Sequence, residues 1–285
     1  MPLWRVQTAQ GERLARGPLE GGPVELLQAG VSLDALLAGP PGAFAEAAGG
    51  VGGDPVPAGT TLLAPVAGQE VWAAGVTFAR SRSARNEESG GHDFYDLVYE
   101  AKRPELFLKA TPGRVRGPGA RVGVREDSGW DVPEPELALV VDAHGEVVAY
   151  TIGNDVSSRS IEGENPLYLP QAKIYRGSCG LGPCLTPVSD APPVEDMEIT
   201  LRIHRDGEEI FTESTPLALL RRRPDELVSW LYRAEDFPVG AVLLTGTSII
   251  PAVEFTLQGG DEVRIVITGL GELANGVEVV AVSTA

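Results

Sequence analysis

The sequence predicts an α+β fold that is mostly β. After residue 110, short apolar segments recur between turns rich in Gly, Pro and Asp, some alternating with period two and others continuous in Val, Ile and Leu. This is the pattern of successive β-strands. Helical patterns are fewer, and the clearest is Pro224–Tyr232, which begins with the residue favoured at the first helical position. The 285 residues allow one large domain, or a core with a small appendage.

Residues 1–68 are predicted to form a small N-terminal cap domain and linker. They contain a short strand at Trp4–Thr8, a helix candidate at Ser32–Ala38, and many Gly, Pro and Ala residues, which interrupt regular structure. We find no catalytic motif in this part of the chain. Residues 69–285 are expected to form the main domain, and any catalytic residues should lie there.

A helical connection is expected near the start of that domain. Val71–Phe78 is apolar and is predicted to be a buried strand. Ala79–Glu88 and a second segment capped by Asp93 are helix candidates, separated by Gly90-Gly91. The two helices are either an ordinary connection or a mobile lid.

The segment Pro104–Ala110 alternates with period two and is predicted to be a strand. Glu105, Phe107 and Lys109 would share one face of it. In isolation, such a face is usually a solvated stripe, but an acid and a base on one strand are also candidates for chemistry. The chain after residue 110 is then mostly β, including Leu167–Pro183.

Three carboxylates, Glu134, Glu136 and Asp155, are the most informative feature of the chain. The two glutamates are two residues apart between prolines, so an extended backbone directs both to one face. A buried strand follows, and residues 146–152 are its expected hairpin partner. If His144-Gly145 is the two-residue turn, Asp155 lies directly opposite Glu134, and the three acids converge.

The convergence of these acids predicts a divalent-metal site. Close carboxylates repel one another, and a hard cation relieves that repulsion. Oxygen ligands without a nearby histidine favour Mg²⁺, Mn²⁺ or Ca²⁺ over zinc. The alternatives are a solvated hairpin end and acids paired with nearby arginines.

The overall charge excludes two classes of partner. The formal net charge is -17, which disfavours binding to nucleic acid and to anionic membranes. No segment approaches the roughly 18 apolar residues of a membrane span, and the first residues lack a signal-peptide pattern. A cytoplasmic protein with a small-molecule substrate is expected.

Lysine is rare in this chain. Of 23 basic residues, only Lys102, Lys109 and Lys173 are lysines, and the other 20 are arginines. Because an ammonium can lose its proton when it is buried and a guanidinium cannot, the retained lysines are candidates for chemistry. Lys173 lies between prolines in a stretch with few other charges, where it would either hold an anionic substrate or extend along the surface.

The familiar nucleophilic and phosphate-binding motifs are absent from the sequence. It has three histidines and no Gly-x-Ser-x-Gly, Walker or Gly-x-Gly-x-x-Gly motif. Thr245-Gly-Thr247 follows an apolar strand and suits a carboxylate ligand, although a plain turn is the alternative.

Taken together, these motifs resemble the fumarylacetoacetate hydrolase superfamily over roughly residues 69–285. The matching features are Glu134-Pro-Glu136, Asp155, Lys173, Gly182-Pro183 and Thr245-Gly-Thr247. The resemblance implies a core of rolled β-sheets, a homodimer or dimer of dimers, and Mg²⁺ held by the two glutamates and the aspartate.

A narrower resemblance is to the sugar-acid dehydratases of that superfamily, carried by Val98–Ala110 and Glu164–Tyr175. It implies a hydro-lyase of sugar-acid or pentose breakdown. The expected substrate is 2-dehydro-3-deoxy-D-arabinonate or another 2-keto-3-deoxy pentonate, and the product is 2,5-dioxopentanoate. The expected chemistry is enolate formation followed by β-elimination.

We assign candidate roles on this basis. Lys173 or Glu105 is the general base, and the sequence does not separate them. The candidate substrate contacts are Ser81, Lys109, Gln171 and Thr247. Two alternatives remain: a hydrolase of acylpyruvates or related 2,4-dioxo acids, and a binding protein that uses the metal only for stability. The hydrolases of the superfamily typically use a His-Glu pair in the lid, whereas the histidine here, His92, lies beyond Gly90-Gly91.

Overall fold

The computed structural model describes residues 1–79 and 94–282, and only the backbone of residues 94–96. Most of the predicted helix Ala79–Glu88, together with Ser81, Asp93 and His92, lies outside the described residues. The predictions made for them therefore stay predictions.

Strands dominate the described part of the chain. In chain order they are β1 (Leu3–Thr8), β2 (Gly11–Arg16), β3 (Glu25–Leu26), β4 (Thr61–Leu62), β5 (Glu70–Gly75), β6 (Glu105–Ala110), β7 (Val115–Arg116), β8 (Arg121–Arg125), β9 (Asp131–Val132), β10 (Pro135–Val141), β11 (Val147–Asp155), β12 (Ser157–Ser158), β13 (Cys179–Pro187), β14 (Glu198–Arg205), β15 (Glu208–Pro216), β16 (Ala241–Leu244), β17 (Glu262–Ile267) and β18 (Gly271–Val280).

The helices are short. They are α1 (Leu33–Ala38), α2 (Ala43–Gly49), α3 (Phe94–Glu100), α4 (Arg159–Glu164), α5 (Leu169–Lys173) and α6 (Pro224–Leu231), with 3₁₀ turns between them. None of those in the described ranges is long and apolar enough to cross a membrane. The predicted α+β fold with mostly β structure is confirmed.

One large mixed sheet positions the candidate site. Its strand order is β3-β2-β1-β13-β11-β10-β16-β5-β6, with β4 paired to β1 and β7 to β13. A five-stranded sheet, β15-β14-β17-β18-β8, and the pair β12-β9 complete the sheets of the described chain. The largest apolar cluster includes Leu139 and Ile152 of the large sheet and Leu201 and Ile265 of the five-stranded sheet, so the core joins the two sheets.

The N-terminal segment is built into the large sheet. Strand β1 pairs with β13 through Leu3 and Leu185, and α1 and α2 share an apolar cluster with Val140 and Ala149 of the central strands. The backbone N–H of Ala143 also donates to the carbonyl of Leu37 at 2.9 Å. The predicted boundary near residue 68 stays a prediction, but the two parts share a sheet and a core.

The predicted register of the acidic hairpin is confirmed. Pro135 pairs with Asn154 and Leu139 with Tyr150, as a turn centred between residues 144 and 145 requires. The turn itself is longer than predicted, because the last pair before it is Val141 with Val147 and a bulge follows Val140. The bulge compensates for the longer turn, so the distant end of the hairpin keeps the predicted pairing.

Two other segments differ from the prediction. Leu167–Pro183 is not all β, because residues 166–173 form a 3₁₀ turn and α5 before β13 begins. Pro166 and Pro170 occupy first-turn positions, where a missing N–H costs little. The strand predicted at Val71–Phe78 ends at Gly75, because Val76 has a φ of 53°, outside the β region.

We expect Leu37→Ala to lower the free energy of unfolding of the whole protein by about 2–5 kcal/mol, the usual cost of emptying a buried leucine site. Leu37 is fully buried against the central strands. Denaturant unfolding should show one transition at lower denaturant concentration. Val51→Ala is the control, since Val51 is 89% exposed; its effect should stay within about 0.5 kcal/mol. An early separate transition confined to the N-terminal segment would contradict the shared core.

Candidate metal centre and active site

The three acids converge as the hairpin register predicts. Glu134 immediately precedes β10, Glu136 lies in it, and Asp155 ends β11. The backbone N–H of Asp155 donates to the carbonyl of Glu134 at 2.9 Å. One carboxylate oxygen from each residue lies within 4.8 Å of the others, and all three side chains are buried. Such an oxygen-only donor set fits a hard divalent cation.

Lys173 is placed between two of these acids. Its Nζ donates to Glu134 Oε1 at 3.0 Å, to Asp155 Oδ2 at 3.2 Å and to Ser157 Oγ at 2.5 Å. It lies at the end of α5 and is fully buried, so it does not extend along the surface. Three acceptors require three N–H donors, which an ammonium ion provides.

Lys109 lies behind Asp155. Its Nζ is 2.5 Å from Asp155 Oδ1 and donates to the carbonyls of Val156 and Lys173 at 2.9 and 2.6 Å. Burial lowers the pKa of the Lys109 ammonium, while the neighbouring Asp155 acts in the opposite direction. All three donors are therefore engaged by the protein, and Lys109 is not among the residues that line the cavity.

A third cation, Arg159, was not predicted from the sequence. Its Nη2 lies 2.9 Å from Glu134 Oε1, and the side chain is 1% exposed and lines the cavity. It begins α4, four residues after Asp155. Arginine is the default cation of this chain, so composition singles out the lysines and not Arg159. The position of Arg159 in the sequence could have identified it. A chain that turns at Asp155 places the next few residues at the same end of the hairpin as the acids.

Glu136 is held by a backbone donor. The N–H of Gly246 donates to Glu136 Oε2 at 2.5 Å. Burial raises the pKa of Glu136 well above its ordinary value, and repulsion from Asp155 and Glu134 adds to this effect. A divalent cation among the three carboxylates would act in the opposite direction and favour the ionised form.

Gly246 is required where it stands. Its φ is 91°, a conformation that glycine adopts without the steric cost that Cβ imposes. A Cβ there would clash with Thr77 Oγ1, which is fixed because it donates to the Thr245 carbonyl at 2.7 Å. The tight turn after β16 is therefore what brings the Gly246 N–H to Glu136.

The remaining predicted residues fall in different places. Thr247 is buried and lines the cavity, beside Gly75 and Phe107. Glu105 pairs with Gly75 across β5 and β6, and its carboxylate covers Gly75 so closely that a Cβ there would clash with it. Glu105 thus lies beside the cavity wall. Gln171 is exposed on α5 and is not among the lining residues.

The arrangement sets three buried cations, Lys109, Lys173 and Arg159, among four buried acids, because Glu162 also faces Arg159 at 3.9 Å. A divalent cation added to this cluster would still leave an excess of positive charge. The cavity would then favour an anionic ligand that offers oxygen atoms, such as a 2-oxo acid, and would stabilise negative charge that develops on it.

We expect Gly246→Ala to weaken Mg²⁺ binding by roughly 10- to 100-fold, the usual effect of losing a group that orients a metal ligand. The added Cβ would displace the turn and remove the hydrogen bond to Glu136. Isothermal titration calorimetry of metal-free protein measures the change.

Gly207→Ala is the matched control for this substitution. Gly207 also has a positive φ, 84°, but no atom lies near its missing Cβ. It carries the same backbone strain far from the acids. Equal Mg²⁺ affinity in the two variants would contradict the role assigned to the Gly246 N–H.

Comparison with solved structures gives the same architecture. A hexagonal crystal form of 2-keto-3-deoxyarabinonate dehydratase superposes with a TM-score of 0.87 and 34% identity, over 98% of this chain and 99% of that chain. A 2-keto-3-deoxy-D-arabinonate dehydratase complexed with magnesium and 2,5-dioxopentanoate superposes with a TM-score of 0.85 and 33% identity, over 99% of this chain and 100% of that one.

Sequence comparison finds related proteins and a family. A probable 2-keto-3-deoxyxylonate dehydratase of Haloferax volcanii is 53% identical over 216 residues, 76% of this chain and 74% of that protein. A 2-dehydro-3-deoxy-D-arabinonate dehydratase of Saccharolobus solfataricus is 41% identical over 221 residues, 76% of this chain and 74% of that protein. The family model of the fumarylacetoacetate (FAA) hydrolase C-terminal region matches residues 94–278. The chain belongs to the fumarylacetoacetate hydrolase family.

Proposed function

We propose that this protein is a magnesium-dependent hydro-lyase that converts a 2-keto-3-deoxy pentonate into 2,5-dioxopentanoate. The observation that carries the proposal is the buried cluster of Glu134, Glu136 and Asp155 with Lys173 bound between two of its acids. The similar proteins of Haloferax volcanii and Saccharolobus solfataricus are dehydratases of this substrate class by name. One similar structure is complexed with magnesium and that product.

The reaction depends on the acidity of a carbon next to a ketone. Loss of a proton from C3 gives an enolate, and hydroxide then leaves from C4 and is protonated to water. The product of this elimination has a C3=C4 double bond conjugated with the ketone and keeps its C5 hydroxyl. It isomerises through a dienol, which ketonises at C2 and at C5 to give the terminal aldehyde. A bound divalent ion supplies Lewis acidity beside the 2-oxo group. In the chain itself, Lys173 and Arg159 line the cavity and stabilise negative charge that develops on the substrate.

The contacts of Lys173 and the position of Glu105 lead us to assign Glu105 as the proton acceptor. Lys173 Nζ already donates three hydrogen bonds, so its role is to orient Glu134 and Asp155 and to contribute positive charge. Glu105 offers a carboxylate beside the cavity wall at Gly75. An acceptor within hydrogen-bonding reach of the substrate is what removal of the C3 proton requires.

The other predicted contacts take different roles in this proposal. Thr247 lines the cavity and is a substrate contact. Lys109 orients Asp155 from behind and does not bind substrate, because its three donors are engaged. Gln171 is exposed and lies outside the described lining of the cavity, so its contact with substrate stays a prediction. The cytoplasmic location and the dimer stay predictions.

The carboxylate contacts support Mg²⁺ as the metal. Glu136 Oε2 accepts from Gly246, and Asp155 Oδ1 faces Lys109. Asp155 Oδ2 also accepts from Lys173. At least one oxygen of each side chain is therefore held by the protein, which disfavours bidentate ligation. Ca²⁺ commonly takes bidentate carboxylates and six to eight ligands, whereas Mg²⁺ suits octahedral sites with single oxygens.

The test of the proposed function is a product assay. Metal-free protein is incubated with 2-keto-3-deoxy-D-arabinonate and its D-xylonate-derived isomer, with and without Mg²⁺, and 2,5-dioxopentanoate is measured by NMR. We expect product from at least one isomer, with a requirement for Mg²⁺. Cleavage of acylpyruvates without any dehydration would instead support the hydrolase. Stabilisation by Mg²⁺ without turnover of either class would support the binding protein.

We expect Lys173→Met to lower kcat by at least about 100-fold, since it removes a cation that orients two acids and stabilises developing charge. Steady-state kinetics at saturating Mg²⁺ measures the loss, and circular dichroism checks the fold. Lys102→Met is the matched control, because Lys102 is exposed and should retain the activity of the unmodified protein. A Lys173→Met variant with unchanged kcat would remove Lys173 from the mechanism.

A further inference from the structure

Val76, which follows β5, has a backbone conformation that β-branched residues rarely adopt. Its φ is 53°, in the left-handed region where a branched side chain crowds the backbone. Among the described residues, only Asp206 is another non-glycine residue with positive φ, and it lies in the Asp206-Gly207 hairpin turn, where that conformation is ordinary. No such turn accounts for Val76.

The residues on both sides hold Val76 in this conformation. Gly75 is fixed in the sheet opposite Glu105. Thr77 is fully buried, its Oγ1 donates to the Thr245 carbonyl at 2.7 Å, and its own carbonyl accepts from the N–H of Arg221 at 3.0 Å. A glycine at position 76 would satisfy the same backbone without strain. The valine side chain must therefore contribute something that offsets its cost.

The side chain of Val76 does not offset this strain by packing in the apolar core. Val76 is 5% exposed, yet it belongs to none of the four apolar clusters formed by the described residues. It lines the cavity that contains the three acids, next to Ala74, Gly75 and Gly246. These neighbours have small side chains or none, so Val76 is the one branched aliphatic residue among the described residues that line the cavity.

We propose that Val76 is a specificity-determining residue that limits the length of the 2-oxo acid admitted to the cavity. Its three side-chain carbons occupy more room than the two heavy atoms of one additional CHOH group. Five-carbon 2-keto-3-deoxy acids would then be preferred to their six-carbon homologues. The proposal rests on the proposed dehydratase function, which it refines.

The test compares kcat/KM for a five-carbon and a six-carbon 2-keto-3-deoxy acid in unmodified protein and in Val76→Gly. We expect the six-carbon to five-carbon ratio to rise at least about tenfold, the effect of one methylene-sized change in a pocket. Val76→Ala should give an intermediate ratio, and it tests the same prediction if the glycine variant fails to fold. Val51→Gly, at an exposed site, should leave the ratio unchanged.

The proposal is overturned if Val76→Gly and Val76→Ala have the same six-carbon to five-carbon ratio of kcat/KM as the unmodified protein. The dehydratase function would remain intact in that case. If the unmodified protein dehydrates neither acid, the proposed function fails by itself. The length limit is then measured by calorimetry with Mg²⁺-loaded protein and unreactive straight-chain 2-oxo acids of four to seven carbons. We expect binding to weaken as the 2-oxo acid becomes longer, and to weaken less steeply in Val76→Gly than in the unmodified protein. The same length dependence in both would overturn the proposal.

Discussion

The structure around the site depends on one electrostatic constraint, which is the presence of three buried carboxylates within a few ångströms of one another. Burial and mutual repulsion both disfavour the charged forms of such a group. The fold places three buried cations beside them: Lys109 and Lys173 pair with Asp155, and Lys173 and Arg159 pair with Glu134. Lys173 and Arg159 also line the cavity. The same cations then become the positive surroundings of an anionic substrate.

The large sheet places the components of the site in strand order. Consecutive neighbours β11, β10, β16, β5 and β6 supply or adjoin Asp155, Glu136, Gly246, Gly75 and Glu105 in that order. Each lies in its strand or within two residues of its end. The site is therefore a product of strand pairing. The pairing register of each strand decides which of its residues faces the cavity, because a slip of one residue would turn every side chain of that strand to the opposite face.

The parts of the site that the sequence predicted are those governed by local backbone rules. The two-residue spacing of Glu134 and Glu136 and the pairing of Asp155 followed from strand geometry. The register survived even though the turn was longer than expected, because the bulge after Val140 restored it. The helix at α6 followed in the same way from the preference for proline at the first helical position.

Other parts depend on contacts between segments far apart in sequence. Arg159 was hidden among twenty arginines, and only its three-dimensional position distinguishes it. The positive φ of Val76 has no signature in an apolar run. The prolines before Lys173 start helical turns where a strand was expected, and this choice sets the ammonium of Lys173 between two acids. In each case tertiary packing decided between local alternatives.

If Glu134, Glu136 and Asp155 together hold one divalent cation, crystals soaked in Mn²⁺ and measured at the manganese absorption edge should reveal it. We expect a single strong anomalous peak per chain, bounded by carboxylate oxygens of these three residues and suppressed when Glu136 is replaced by glutamine. A peak elsewhere, or none at the acids with Mn²⁺ in excess, would contradict it.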